Sequence, residues 1–239
     1  MKNLSIYIWT SNQLQVCLPA QAYLFNKFWP DIVDVKILGY DEINLDLPDN
    51  FEFISLGEQR GPKYWSDDMI DFFSSCSDEF FYFPTEDQFI INEVKKEMLE
   101  YVIEIFENNL DSNLLRFCLA KNVEHLPHDV LSEQDGFKLI ERSQNAMYRN
   151  SLHASIFHRK NLLKELKTGM SPWDFELNTG KNNGMKVLGT SGEYVLSIGH
   201  AYKRGKKIKD WHRCSNNSGV ELNKEDLLKI EQNNWVPEL

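Results

Sequence analysis

Glu79-Phe80-Phe81-Tyr82-Phe83-Pro84-Thr85-Glu86-Asp87 is a run of four aromatic residues that stops at a proline and ends on two adjacent acids. Four bulky side chains in succession, with no polar alternation, predict a strand buried on both faces. That is how strands of a parallel sheet covered by helices read. In open sheets of this kind ligands bind beyond the carboxyl ends of the strands. Glu86 and Asp87 fall at such an end.

Working outward, the first hundred residues repeat the theme. Leu4–Trp9 reads as a strand broken by Thr10-Ser11-Asn12, and Leu14–Trp29 has helical apolar spacing closed by Pro30. Val33–Leu38 and Phe51–Leu56 read as strands. Pro62–Ser75 reads as a helix with Met69, Ile70 and Phe73 facing inward. After Asp87 the alternation weakens. Asn92–Phe106 predicts a long amphipathic helix. Leu114–Leu119, Phe137–Glu141, Leu152–Phe157, Lys186–Leu188 and Tyr194–Ile198 read as strands. Asn161–Leu166, the segment from Ser171 and Leu222–Gln232 read as helices. No Pro/Gly/Ser-rich linker separates the halves. The expectation is therefore one α/β domain over 1–239, with a mostly parallel central sheet flanked by helices and an irregular C-terminal half.

Composition narrows the function classes. The chain has 239 residues, 42% hydrophobic and 26% charged, which suits a folded domain with a sizeable core. Lys plus Arg is 26 and Asp plus Glu is 36, a net of −10. Residues 1–100 carry 7 basic and 18 acidic side chains, and residues 101–239 carry 19 and 18. An acidic front half repels extended phosphate polymers, so nucleic acid is not an expected partner. No apolar run approaches the roughly 20 residues of a membrane span, and the first residues lack a signal-peptide cleavage pattern. Cys17, Cys76, Cys118 and Cys214 lie far apart, which disfavours a disulfide framework or zinc knuckle and leaves reduced thiols and a cytoplasmic location as the expectation.

Four segments carry candidate chemistry, each beside a plainer alternative. Glu86-Asp87 can hold Mg²⁺ or Mn²⁺ against phosphates, or can cap the next helix. Ser171-Pro172-Trp173-Asp174-Phe175-Glu176 is a good helix start, with Ser171 as N-cap and Pro172 following. A helix start does not account for Trp173 beside Phe175 and Glu176. An aromatic wall next to a carboxylate suits a sugar, and Glu176 or Asp174 there can deprotonate a hydroxyl. His200-Ala201-Tyr202-Lys203-Arg204-Gly205-Lys206-Lys207-Ile208-Lys209 reads as a cationic cover for a diphosphate or as a solvated turn. Gly61-Pro62-Lys63-Tyr64-Trp65-Ser66-Asp67 offers Trp65 for stacking on a base and Lys63 for phosphate, or is only a helix start. Glu124-His125-Leu126-Pro127-His128-Asp129 reads as a polar loop rather than a metal site, because Pro127 prevents a regular helix. No Gly-x-x-x-x-Gly-Lys loop, Gly-x-Gly-x-x-Gly fingerprint or Gly-x-Ser-x-Gly elbow occurs.

Taken together, the strand–polar turn at Thr10-Ser11-Asn12, the strand ending at Asp41, the helix carrying Lys63–Asp67 and the strand ending in Thr85-Glu86-Asp87 set a pattern. Ser151–Leu162 and then Ser171-Pro172-Trp173-Asp174-Phe175-Glu176 complete it. The chain resembles nucleotide-sugar-dependent glycosyltransferases of the GT-A fold over roughly residues 4–204, most specifically at Trp173–Glu176. The resemblance implies a nucleotide-binding part over 1–90 and an acceptor-binding part over 91–239. It implies donor contacts from Thr10, Asn12, Asp41 and Lys63 and metal contacts from Asp87 and His200, to which the segments themselves add Trp65, Glu86, Lys203 and Arg204 as expected donor contacts. It implies a base at Glu176 or Asp174, an acceptor contact from Trp173, Mn²⁺ or Mg²⁺ as cofactor, inversion at the transferred sugar, and a glycan or other hydroxyl acceptor. Thr85 stands where the family's acidic motif has its first acid. Two other classes stay open: a sugar nucleotidyltransferase, against which the short Thr10-Ser11-Asn12-Gln13 turn counts, and a carbohydrate-binding module on a decayed transferase fold.

Overall fold

The structure, a computed structural model, describes residues 4–31, 34–41, 45–110, 112–121, 126–134, 136–203, 205–214 and 219–239. In chain order its elements are β1 (Ser5–Trp9), α1 (Leu18–Phe28), β2 (Val35–Gly39), β3 (Phe51–Ser55), α2 (Trp65–Ser75), β4 (Phe80–Tyr82), β5 (Gln88–Ile90), α3 (Lys96–Glu107), β6 (Leu114–Cys118), β7 (His128–Gln134), β8 (Phe137–Arg142), β9 (Ser155–His158), α4 (Arg159–Glu165), α5 (Pro172–Asn178), β10 (Lys186–Ser191), β11 (Ile198–His200), β12 (Tyr202–Lys203), β13 (Lys206–Lys207) and α6 (Lys224–Gln232). The fold is α/β, with strands and flanking helices in two compact units. One takes Ile6–Gln59, Pro84–Lys95 and Leu196–Leu239; the other takes Arg60–Phe83 and Lys96–Val195.

In the first unit β1, β2 and β3 pair in parallel, with Ile6 opposite Val35 and Val35 opposite Phe51. Ile6, Ile8, Val35, Ile37 and Leu38 are buried, as near-continuous apolar runs in a parallel layer require. Gly39 ends β2 at a close approach: a Cβ there would lie 2.6 Å from the Phe53 ring and 3.0 Å from Thr10 Cγ2. Its absence lets the turn after β1 approach the end of β2. The segment read as one helix from Leu14 splits into a 3₁₀ turn, Gln15–Cys17, and α1, with Pro19 in the first turn of α1. Pairing of β5 with β11 is antiparallel, with His200 opposite Gln88. At the other end of the unit, Asn223 caps α6 by accepting from Asp226 N at 3.0 Å. Buried Asp226 accepts from Lys27 Nζ at 2.5 Å and Tyr23 OH at 2.6 Å, fastening α6 to α1.

The second unit is mixed. Its strands run in the order β4-β9-β6-β10-β8-β7; β6 and β10 are parallel and the other pairs antiparallel. This regular sheet stands where the sequence suggests an irregular half. The reason is local: β7–β8 and β8–β10 are antiparallel neighbours, and such ladders need no helix between strands. Phe73 of α2 stacks on Phe81 of β4 at 4.3 Å, with Phe83 edge-on to both, so the aromatic run is a core element. Met69 is fully buried beside it and Ile70 half-buried.

Candidate functional site

In the first unit the polar groups lie where a parallel layer presents its strand ends. Asn12 Nδ2, after β1, donates to Asp41 Oδ2 at 2.6 Å, after β2, and Asp41 N donates back to Asn12 Oδ1 at 3.1 Å. Gln15 Nε2 donates to Asp41 O at 2.6 Å and to Asn12 Oδ1 at 3.1 Å, and Gln59 Oε1 accepts from Asn12 N. The Thr85-Glu86-Asp87 turn joins this edge through a parallel bridge between Trp9 and Thr85, and Glu86 N donates to Trp9 O. Thr10 is fully buried and gives its hydroxyl to Ser11 O, so it shapes the turn.

Thr85 Oγ1 donates to Asp87 Oδ1 at 2.7 Å and accepts from Gln88 Nε2 at 2.8 Å. Asp87 itself is half-exposed. Glu86 is buried, with Ser11 N and Oγ each 3.5 Å from its Oε1. Burial, and then the charge of Asp87, push the Glu86 carboxyl up to about 8. The same causes, burial first and then Glu86 and Asp87, hold the Cys17 thiol far above its usual range. Asp87, Glu86 and Ser11 Oγ are oxygen donors, the kind a hard divalent ion takes. Among the described residues no three His, Cys, Asp or Glu side chains are grouped around one point. His200 comes to the same turn: it pairs with Gln88, and Ala201 N donates to Asp87 O at 2.9 Å. Lys203 is exposed on the β12–β13 hairpin, and Lys207 donates to Val236 O, anchoring the tail. Arg204, Glu124 and His125 lie outside the described residues. His128 begins β7, its Nδ1 2.8 Å from Leu126 O.

In the second unit the Ser171–Glu176 segment is tied down residue by residue. Ser171 Oγ accepts from Asp174 N at 3.1 Å, and Asp174 Oδ2 accepts from Ser171 N at 2.9 Å, a full capping box. Lys63 Nζ donates to the same Asp174 oxygen at 2.6 Å. The Lys63 ammonium and then the Ser171 hydroxyl hold the Asp174 carboxyl far below its ordinary range. Trp65, expected to stack on a base, is 1% exposed and packs on the Phe175 ring at 5.6 Å, while Ser66 and Met170 exchange hydrogen bonds. The Lys63–Asp67 and Ser171–Glu176 motifs therefore meet each other: Lys63, Trp65 and Asp174 build the junction. Two side chains point elsewhere. Trp173 is 62% exposed. Glu176 is half-buried; its Oε1 accepts from Leu152 N at 2.7 Å, and no hydrogen bond reaches its Oε2 among the described residues.

Sequence reasoning missed Ser11, Gln15 and Gln59 at the first edge, which lie in turns with no motif. It also missed Arg116, Arg142 and Arg149, all buried in the second unit. An arginine inside the apolar run Leu114-Leu115-Arg116-Phe117-Cys118 was the available signal.

No family model and no curated protein matches the chain. Among solved structures it is similar to a protein from STIV (11% identity, 92% of this chain and 95% of that one, TM-score 0.44). It is also similar to a UDP-glucose pyrophosphorylase complexed with UDP-glucose (7%, 82% and 93%, TM-score 0.48) and to S. aureus TarS (14%, 80% and 36%, TM-score 0.42). At such scores and identities the likeness says nothing about activity.

Proposed function

We propose that the protein is a glycosyltransferase that moves a sugar from a nucleotide-sugar donor to an acceptor hydroxyl with inversion. The observation that carries this reading is the convergence of Asn12, Asp41 and the Thr85-Glu86-Asp87 turn at the carboxyl ends of β1 and β2. That is where an open parallel layer takes a nucleotide, and it agrees with the family resemblance of the sequence. Asp41 and Asn12 hold the nucleoside through its hydroxyls. Mn²⁺ or Mg²⁺, held by Asp87 and assisted by His200, supplies charge neutralisation to the diphosphate when bound.

Of the two candidate bases Glu176 is the better. Asp174 is committed to Ser171 and Lys63 and is a poor proton acceptor in that setting. Glu176 is oriented by Leu152 N through one oxygen and keeps the other for a proton. The acceptor oxygen attacks the anomeric carbon, the bond from that carbon to the diphosphate oxygen breaks, and the acceptor proton passes to Glu176. Trp173 offers an exposed ring face to the acceptor. Glu176→Gln is expected to lower transfer by a factor on the order of 10²–10⁴ with donor affinity unchanged, read by product formation and by nucleotide titration. Wild-type turnover in that variant would remove Glu176 from the reaction.

A further inference from the structure

Three arginines sit in the interior of the second unit, and among the described residues no acid forms an ion pair with them. Arg116, Arg142 and Arg149 are 0%, 1% and 0% exposed. Their bonds go to main-chain carbonyls, the Ser155 hydroxyl, the Asn183 amide oxygen and, from Arg116, the Cys118 sulfur. Arg116 Nε donates to Arg149 O at 2.8 Å and its Nη1 to Ser155 Oγ at 2.6 Å. Arg142 Nη1 donates to Tyr148 O at 2.6 Å. Arg149 Nη1 donates to Gly180 O and its Nη2 to Met185 O at 2.8 Å. Because Tyr148 and Arg149 are consecutive, the guanidiniums of Arg116 and Arg142 converge on neighbouring carbonyls. Among the described residues four of their nitrogens have no hydrogen-bond partner: Arg116 Nη2, Arg142 Nε and Nη2, and Arg149 Nε.

The charged and titratable neighbours do not balance this cluster. Glu176 acts on Arg116, and Glu141 and Glu165 on Arg149, but none forms an ion pair with an arginine. Glu165 Oε2 is engaged by Asn150 Nδ2 and Gly180 N at 2.9 Å each. Cys118 lies beside Arg116 and Arg142, and its Sγ is 3.2 Å from Ala120 O. Buried charge without a partner is unfavourable, and carbonyl dipoles satisfy hydrogen bonds without cancelling charge.

We propose that Arg116, Arg142 and Arg149 form an internal anion site, separate from the Asp87 turn, that takes a small inorganic anion: a halide, or a tetrahedral oxyanion such as phosphate or sulfate. Near-complete burial admits only a few atoms, and the unpartnered N–H groups are the donors such a guest needs.

The test is the melting temperature of the full chain at constant ionic strength, with gluconate replaced stepwise by chloride, phosphate or sulfate. Wild type is expected to gain several degrees in one of these anions, saturably with concentration, the favoured one telling halide from oxyanion. Arg142→Met is expected to abolish the gain. Equal melting in all four salts overturns the proposal, and so does an equal gain in Arg142→Met. If that variant does not fold, wild-type crystals grown with bromide and with selenate decide. Anomalous density within hydrogen-bond distance of Arg116 Nη2 or Arg142 Nη2 supports the site, and its absence under both anions refutes it.

Discussion

Asp174 and Glu176 stand two positions apart in one short helix and do different work. Asp174 is a structural carboxylate: it closes the capping box and pairs with Lys63. Ser171→Ala is expected to cost about 1 kcal/mol of stability, the usual value of a lost N-cap, measured by urea denaturation, and unchanged stability would deny the cap its role. The Lys63 pair is partly exposed and should add less, so Lys63→Met is expected to change stability little. Trp173 is mostly exposed, so Trp173→Ala is expected to leave the melting temperature within a degree or two of wild type while raising the acceptor KM. A loss of several degrees would instead make Trp173 a packing residue.

Among the elements, the Thr85-Glu86-Asp87 turn stores electrostatic strain. Glu86 keeps its proton in the folded chain up to about pH 8 and loses it at ordinary carboxylate pH when unfolded. Between those limits the folded state binds more protons, so stability from this group falls as pH rises from about 4.5 to about 8 and levels above. Glu86→Gln is expected to flatten that fall, as read by denaturant midpoints across the range, and an unchanged slope would mean that Glu86 ionises normally. The β1, β2 and β3 layer and the α2–β4 aromatic core were legible because long apolar runs have one stable fate. The acidic turn was legible because it follows such a run. The hairpin β7–β8 was half legible: β8 carries buried apolar residues, whereas β7, His128–Gln134, is an edge strand whose two apolar residues, Val130 and Leu131, are both exposed and show no alternation. Lys63, Trp65 and Asp174 were noticed as motifs, but that they serve one another depends on a contact between segments a hundred residues apart. The arginine cluster was hidden for the same reason, since each arginine comes from a different local context.

Across the whole molecule, a net charge of −10 sits mostly in the first hundred residues, which contribute the Asn12, Asp41 and Asp87 edge. No described helix is long and apolar enough to cross a membrane. A nucleoside diphosphate approaching this edge meets like charge, and Lys207 of the basic run donates to Val236 O. The proposed donor site therefore needs a divalent cation more than most. The most direct measurement is the melting temperature of wild type and Asp87→Asn across a panel of nucleotide sugars, each with and without Mn²⁺. At least one nucleotide sugar should raise the wild-type melting temperature by several degrees with Mn²⁺, and by little without it or in Asp87→Asn. A panel in which no nucleotide sugar stabilises the protein, or in which stabilisation survives both loss of metal and Asp87→Asn, would contradict it.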